Sequence, residues 1–260
     1  MSLVNFRDPA ALADPDGHWV RPGALYRSAQ PYPAADPVTV ELLTGSGIRT
    51  VIDLRGDAEA DPADWAAAAA AGIEIVEARI QPTNPALEAS MREMTTAADL
   101  GAFYLLMAES APASVARAVE AAARPGGALL HCAAGKDRTG LLVALLLDLV
   151  GVPAEEIVAD YARTNEALTQ IFEILAERNR SALNDYHAGS LTVPAPLLEA
   201  PAGAMVAFLE LVAARYGGTE GFLAHCGVEA ATIETFRAKA AAPAAPATAA
   251  SATAGAEALA

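Results

Sequence analysis

Residues 128–150 read ALLHCAAGKDRTGLLVALLLDLV, and three kinds of backbone follow one another within them. ALLHC (128–132) is a short apolar run behind the breaker Pro125-Gly126-Gly127 and reads as a buried strand. AAGKDR (133–138) is a tight polar loop. TGLLVALLLDLV (139–150) is apolar on nearly every side, which predicts a helix inside the core, ended by Gly151 and Pro153. A strand leading through a short loop into a buried helix is a unit of α/β architecture.

The surrounding sequence repeats the alternation. IRTVIDLR (48–55) and IEIVEARI (73–80) read as strands, and Ala24–Ser28 as a short extended piece. Helices are predicted after Pro37, over 62–71, 97–109 and 112–123, from Pro153 through about residue 180, over 202–216, and as one or two short pieces within 218–237. The fold class expected is α/β, with a central, mainly parallel sheet flanked by helices. Residues 1–237 form the expected catalytic domain. The Ala/Pro-rich remainder, 238–260, has nothing large to bury and reads as a low-complexity tail.

Thirty-two acidic residues against 17 basic ones give a formal charge of -15. Such a surface repels nucleic acid and anionic membrane alike. The strongest apolar stretch, Leu141–Leu147, is closed by Asp148 and falls short of the ~18 residues of a membrane span. Two cysteines, Cys132 and Cys226, are too few for a disulfide scaffold, so reduced thiols and a cytoplasmic setting are expected. The N-terminus lacks a secretory signal pattern. His18, His187 and His225 show no ligand spacing, so no metal is expected.

Cys132 and Arg138 stand six positions apart at the junction of strand and helix. A loop curled between them can turn its amide N–H groups inward, with the helix N-terminus behind, to make an anion site. Gly135 allows the conformation such a curl needs. Arg138 offers a planar fork to two phosphate oxygens. The same donors favour a thiolate at Cys132, which can attack phosphorus to give a phosphocysteine, with Thr139 placed to donate to the sulfur. Ala133, Ala134, Gly135 and Lys136 complete the cradle. A buried structural cysteine is the plainer reading of Cys132. A nucleotide-binding loop is excluded, since Leu130 and Asp137 stand where that motif needs Gly and Ser/Thr.

HCAAGKDRTG (131–140) resembles the active-site loop of bacterial tyrosine phosphatases with the pattern HC–x–x–GKDRTG. LYRSAQP (25–31), VIDLRGDAE (51–59) and DYARTNEAL (160–168) are similar to other recurring segments of that family. The resemblance implies a cysteine-phosphatase fold without metal or organic cofactor. It implies Cys132 as nucleophile, Arg138 as clamp and Asp137 as the general acid, placed inside the loop rather than on a separate Trp-Pro-Asp element. The implied substrate is phosphotyrosine, with dual or triple specificity in some members, and phosphate- or vanadate-like oxyanions would inhibit. Some members are exported without an obvious signal.

Other assignments stay open. Lys136 reads either as a contact to a second phosphate or as a solvated lysine. The first reading motivates a phosphoinositide phosphatase as the alternative; a non-catalytic phosphate-binding module and a sulfurtransferase stand behind it. Asp53, Arg55 and Asp57 end a strand where α/β proteins place their sites, so Asp53 and Arg55 are candidate substrate contacts beside the plainer reading of an ion pair. His131 is expected to bond loop carbonyls. Arg27 and Ser28 are candidates to brace the loop, and Tyr161 and Asn165 to pack beneath it. Cys226 reads as a core thiol, with a disulfide to oxidised Cys132 as the other reading. Residues 165–215 are a candidate helical lid.

Overall fold

The computed structural model describes residues 3–9, 19–81, 85–178 and 193–241. Its sheet has four parallel strands, β1 (Leu25–Ser28), β2 (Ile48–Asp53), β3 (Glu74–Glu77) and β4 (Gly127–His131), in the order β1-β4-β2-β3. β4 is therefore internal, and its partners align Ser28 of β1 and Asp53 of β2 with His131 at the same rim. Parallel strands put all their C-terminal ends on one side, and that is where the chain turns into Cys132.

Side chains alternate across the sheet, as the strand period of two requires. Val51 and Leu129 point into one apolar cluster with Leu43, Trp65 and Ala68. Ile52, Ala128 and Leu130 point into the other. The first cluster is covered by α1 (Pro37–Gly45) and α2 (Ala66–Ala70). The second lies against α4 (Ala97–Glu109), α5 (Pro112–Ala122) and α6 (Asp137–Leu149), with α3 (Pro85–Glu93) packed on α4. Helix α6 is buried along nearly its whole length. Each fully buried Leu contributes about 1.5–3 kcal/mol, so the helix that carries the loop's far end is fixed firmly.

The chain continues as α7 (Ala154–Ala162), a 3-10 segment Arg163–Ala167 and α8 (Leu168–Arg178). After a short 3-10 turn at Ala195–Leu198 come α9 (Ala202–Tyr216), α10 (Thr219–His225) and α11 (Ala230–Ala240). The predicted continuous helix after Pro153 is thus broken at Arg163. The predicted helix over 62–71 shrinks to Ala66–Ala70, because residues 62–65 turn and Asp64 is drawn into a buried ion pair with Arg55 at 2.7 Å.

The lid reading needs correction for 202–216. Helix α9 buries Ala204, Met205, Phe208 and Val212 against α4 and α7 and is part of the core. Residues 179–192, the centre of the expected lid, lie outside the described residues. The last helix runs through Ala240, three residues into the expected tail, and Ala241 bridges to Val20. The rest of that tail, 242–260, is outside the described residues. Among the described residues no helix is long and apolar enough to cross a membrane, and no cluster of side chains is suited to hold a metal ion.

Candidate active site

The loop between β4 and α6 is held from below by buried charge. The Gly135 carbonyl accepts from Arg27 Nη2 at 2.8 Å and from Asn5 Nδ2 at 3.1 Å. Arg27 is tied to Asp160 at 2.6 Å, and Arg7 reaches the same carboxylate at 2.7 Å. Burial pushes the Asp160 carboxyl up, but the two arginines override it and hold it below the usual carboxylate range. Gly135 itself has φ +64, and a Cβ there would stand 2.2 Å from the Ser28 carbonyl oxygen, so only glycine fits. Arg27 therefore braces the loop through its side chain, and the Ser28 carbonyl packs close against Gly135.

Inside this frame the loop presents donors. Outside the regular elements, no backbone carbonyl among the described residues accepts from the amides of Ala133 to Thr139. The amides of a helix's first turn have no intrahelical partner either. Cys132, at the loop's start, is 2% exposed. His131 lies behind it. The Trp65 indole N–H donates to His131 Nε2 at 2.9 Å, which leaves the ring proton on Nδ1, 3.2 Å from the Cys132 carbonyl oxygen. His131 is thus a structural residue of the strand end.

Arg138 is gripped along one edge only. Its Nη1 and Nη2 donate to Glu59 Oε2 and Oε1 at 2.5 and 2.7 Å, with a longer bond from Nη1 to the Leu54 carbonyl at 3.4 Å. Its Nε donates to no described acceptor, so the Nε–Nη2 edge remains for a second bidentate partner. Burial works against the charge on Arg138. The bond to Glu59 and the nearby Cys132, Glu59 and Asp137 charges prevail and hold the guanidinium more firmly protonated than usual. Glu59 in turn is lifted by burial but held below its ordinary range by Arg138. Nothing in the segment VIDLRGDAE (51–59) singles out Glu59 from its neighbours. The only signal is its place at the end of the turn Gly56–Glu59, where the Gly56 amide donates to it at 2.9 Å.

Asp137 opens α6 with its side chain 24% exposed. Its Oδ1 accepts from the Tyr104 hydroxyl at 2.5 Å, and Tyr104 is joined to the Tyr161 hydroxyl at 2.7 Å. Tyr161 therefore packs at the site, as expected, while Tyr104 was not foreseen. The Thr139 hydroxyl is buried and has no hydrogen-bond partner among the described residues.

Three candidate substrate contacts are otherwise engaged, and for Asp53 and Arg55 the ion-pair reading is the one the structure shows. Lys136 is buried, and its ammonium donates to the Leu197 and Glu199 carbonyls at 2.5 and 2.8 Å. It fastens the segment after residue 193 to the loop and does not point a charge at solvent. Arg55 is fully enclosed and paired with Asp53 at 2.6 Å, with Asp64 at 2.7 Å and with Gln30 at 2.9 Å. Asp53 is correspondingly occupied, and Asp57 pairs on the surface with Arg79 at 2.8 Å. Asn165 exchanges two hydrogen bonds with the backbone of Ala200 and lies exposed, not beneath the loop. Beside the loop, a pocket of about 310 Å³ is lined by Gln30, Glu59, Asp61, Ala133, Leu175 and Arg178.

A model of the tyrosine phosphatase family matches residues 1–242. A candidate tyrosine-protein phosphatase of Cupriavidus necator is 32% identical over 231 residues, covering 85% of this chain and 81% of that protein. A tyrosine-protein phosphatase of Nostoc commune is 36% identical over 119 residues, 46% of this chain and 40% of its own. The triple specificity protein phosphatase PtpB of Mycobacterium tuberculosis is 34% identical over 123 residues, 45% of this chain and 44% of its own.

Proposed function

The chain belongs to the tyrosine phosphatase family, and from that premise we propose that it hydrolyses phosphotyrosine through a phosphocysteine formed on Cys132. The observation that carries the mechanism is the half-used guanidinium of Arg138. Glu59 fixes one edge, and Cys132 is near enough to act on the guanidinium charge, which supports the remaining edge as the phosphate clamp. A phosphate seated there receives two guanidinium N–H groups and several amides at once. These donors are in place before the reaction, which is why such stabilisation is usually the largest catalytic contribution.

In the first step the Cys132 sulfur forms a bond to phosphorus as the ester P–O bond breaks. Asp137 gives its proton to the departing oxygen. In the second step water attacks phosphorus, the S–P bond breaks and Asp137 takes the water's proton. Thr139, with a buried hydroxyl awaiting an acceptor, donates to the sulfur as it leaves. The burial of Cys132, 2% exposed, supports an aryl ester: a phenyl ring spaces phosphate from a peptide backbone farther than the short side chain of phosphoserine does. The phosphoinositide reading drew on Lys136 as a free cation, and that ammonium is held by two carbonyls.

The test is Cys132→Ser assayed with p-nitrophenyl phosphate and a phosphotyrosine peptide, alongside phosphoserine, phosphothreonine and soluble phosphoinositides. Turnover should disappear in the variant while vanadate-like oxyanions still bind. Retained turnover would remove the mechanism, and a wild-type preference for inositol lipids would remove the substrate.

A further inference from the structure

The Asp137 carboxyl has two oxygens with different surroundings. Oδ1 accepts from Tyr104 at 2.5 Å, and the Lys136 ammonium stands 3.4 Å from the same atom. Oδ2 accepts from no described side chain, and the side chain is partly open to solvent. Tyr104 is fully buried, as is Tyr161 behind it. The two rings meet edge to face with centroids 6.1 Å apart, and Tyr104 meets Phe208 of α9 in the same way at 6.4 Å. Their positions are therefore set by the core and not by the loop.

The direction of the hydrogen bonds follows from the acceptor. An ionised carboxylate has no proton to give, so Tyr104 donates to Asp137 and Tyr161 donates to Tyr104. Burial and the adjacent Asp137 charge push the Tyr104 phenol well above its ordinary range, so it keeps its proton throughout the cycle. A protonated Asp137 then carries its own proton on Oδ2, because Oδ1 accepts from Tyr104 and faces the Lys136 cation.

We propose that Tyr104, backed by Tyr161, is a positioning residue that pins Asp137 Oδ1 and so directs the acid proton, on Oδ2, toward the leaving-group oxygen. This rests on the reading of Asp137 as general acid given above. Tyr104 exchanges no proton. In the first step the proton moves from Asp137 Oδ2 to the ester oxygen as P–O breaks and S–P forms. In the second it moves from water to Oδ2 as P–S breaks. Removing the pin lets the carboxyl rotate about its terminal torsion, which is broad and two-fold, and presents the wrong oxygen for part of the time.

The test compares kcat/KM on two aryl phosphates. The phenolate of phenyl phosphate is tyrosine-like, with a conjugate acid near pKa ~10, and depends on the proton. The leaving group of p-nitrophenyl phosphate departs with little help. General acid catalysis is worth about 10²–10⁴-fold, so Tyr104→Phe should lose about tenfold more on phenyl phosphate than on p-nitrophenyl phosphate, with vanadate affinity unchanged. Asp137→Asn should show a larger bias, and the double variant should be no worse than Asp137→Asn alone.

An equal loss on both substrates in Tyr104→Phe, or none, with the bias intact in Asp137→Asn, overturns the role of Tyr104 and leaves the acid in place. Absence of bias in Asp137→Asn overturns the acid assignment itself. If Tyr104→Phe does not fold, Tyr161→Phe carries the same comparison, with a smaller bias expected and a uniform effect refuting the chain.

Discussion

Glu59→Gln isolates the group that aims Arg138. The substitution keeps the shape and one acceptor oxygen, and it replaces the other with an amide N–H₂ that faces a guanidinium N–H. One of the two short bonds, 2.5 and 2.7 Å in the wild type, is therefore lost and a donor opposes a donor. A hydrogen bond to a charged group is worth about 1.5–3 kcal/mol. The Glu59 side chain is 37% exposed, and water discounts the exposed share, so about 1.5–2 kcal/mol is the fitting range. Arg138 then samples orientations in which its Nε–Nη2 edge no longer meets phosphate. At 1.36 kcal/mol per factor of ten, kcat/KM should fall by about 10–30-fold. Glu59→Ala, which removes both bonds, should fall further. The assay is steady-state hydrolysis of p-nitrophenyl phosphate with vanadate titration, since the same edge binds both ligands. A Glu59→Gln enzyme within about twofold of wild type in both measurements would refute the claim that Glu59 sets the clamp.

Gly135→Ala forces a Cβ to within 2.2 Å of the Ser28 carbonyl at φ +64. It should destabilise the fold by about 1–3 kcal/mol and weaken vanadate binding, and unchanged thermal unfolding and titration would show that the loop relaxes freely. Asp160→Asn leaves Arg7 and Arg27 without their shared carboxylate. Breaking a buried pair costs about 3–5 kcal/mol, so the unfolding midpoint should drop by about 10 °C at neutral pH. The Asp160 carboxyl is lowered in the fold, so its stabilisation is present above the unfolded carboxylate value of about 3.9 and is lost as pH falls through the lowered native value. The gap between wild type and variant should narrow on acidification, and a gap constant from about pH 7 to about pH 3 would contradict the sign.

The elements that could be read from the sequence are those whose own residues dictate them. α9 begins and ends as expected because Pro201 precedes it and Gly217, at φ +74, closes it. The loop was legible because its chemistry needs Cys, Gly and Arg within seven consecutive residues. α3 was missed: it is short and amphipathic, with one buried residue, Leu87, and only packing on α4 selects it. The shortened α2 has the same kind of cause at a distance. Asp64 lies near the start of the predicted helix 62–71, but Arg55 and Arg178 both bind it, at 2.7 and 2.5 Å.

Charged residues carry two readings in the sequence for one reason: a sequence displays a charge without showing what already neutralises it. Arg27, Arg55 and Arg138 are all buried or nearly so. Arg55 donates from Nε and both Nη atoms to Asp53, Asp64 and Gln30, which leaves a ligand nothing. Arg27 faces Asp160 and a loop carbonyl. Arg138 alone of the three pairs one edge with a carboxylate and has an Nε that meets no described acceptor. That asymmetry is what separates a clamp from a brace. It depends on Glu59, 79 residues away in the chain, just as the aim of Asp137 depends on Tyr104, 33 residues away. Side chains that touch phosphate cluster in sequence because one loop must wrap one anion. Side chains that orient them come from whichever element the fold lays alongside, and that is why Glu59 and Tyr104 emerge only in the structure.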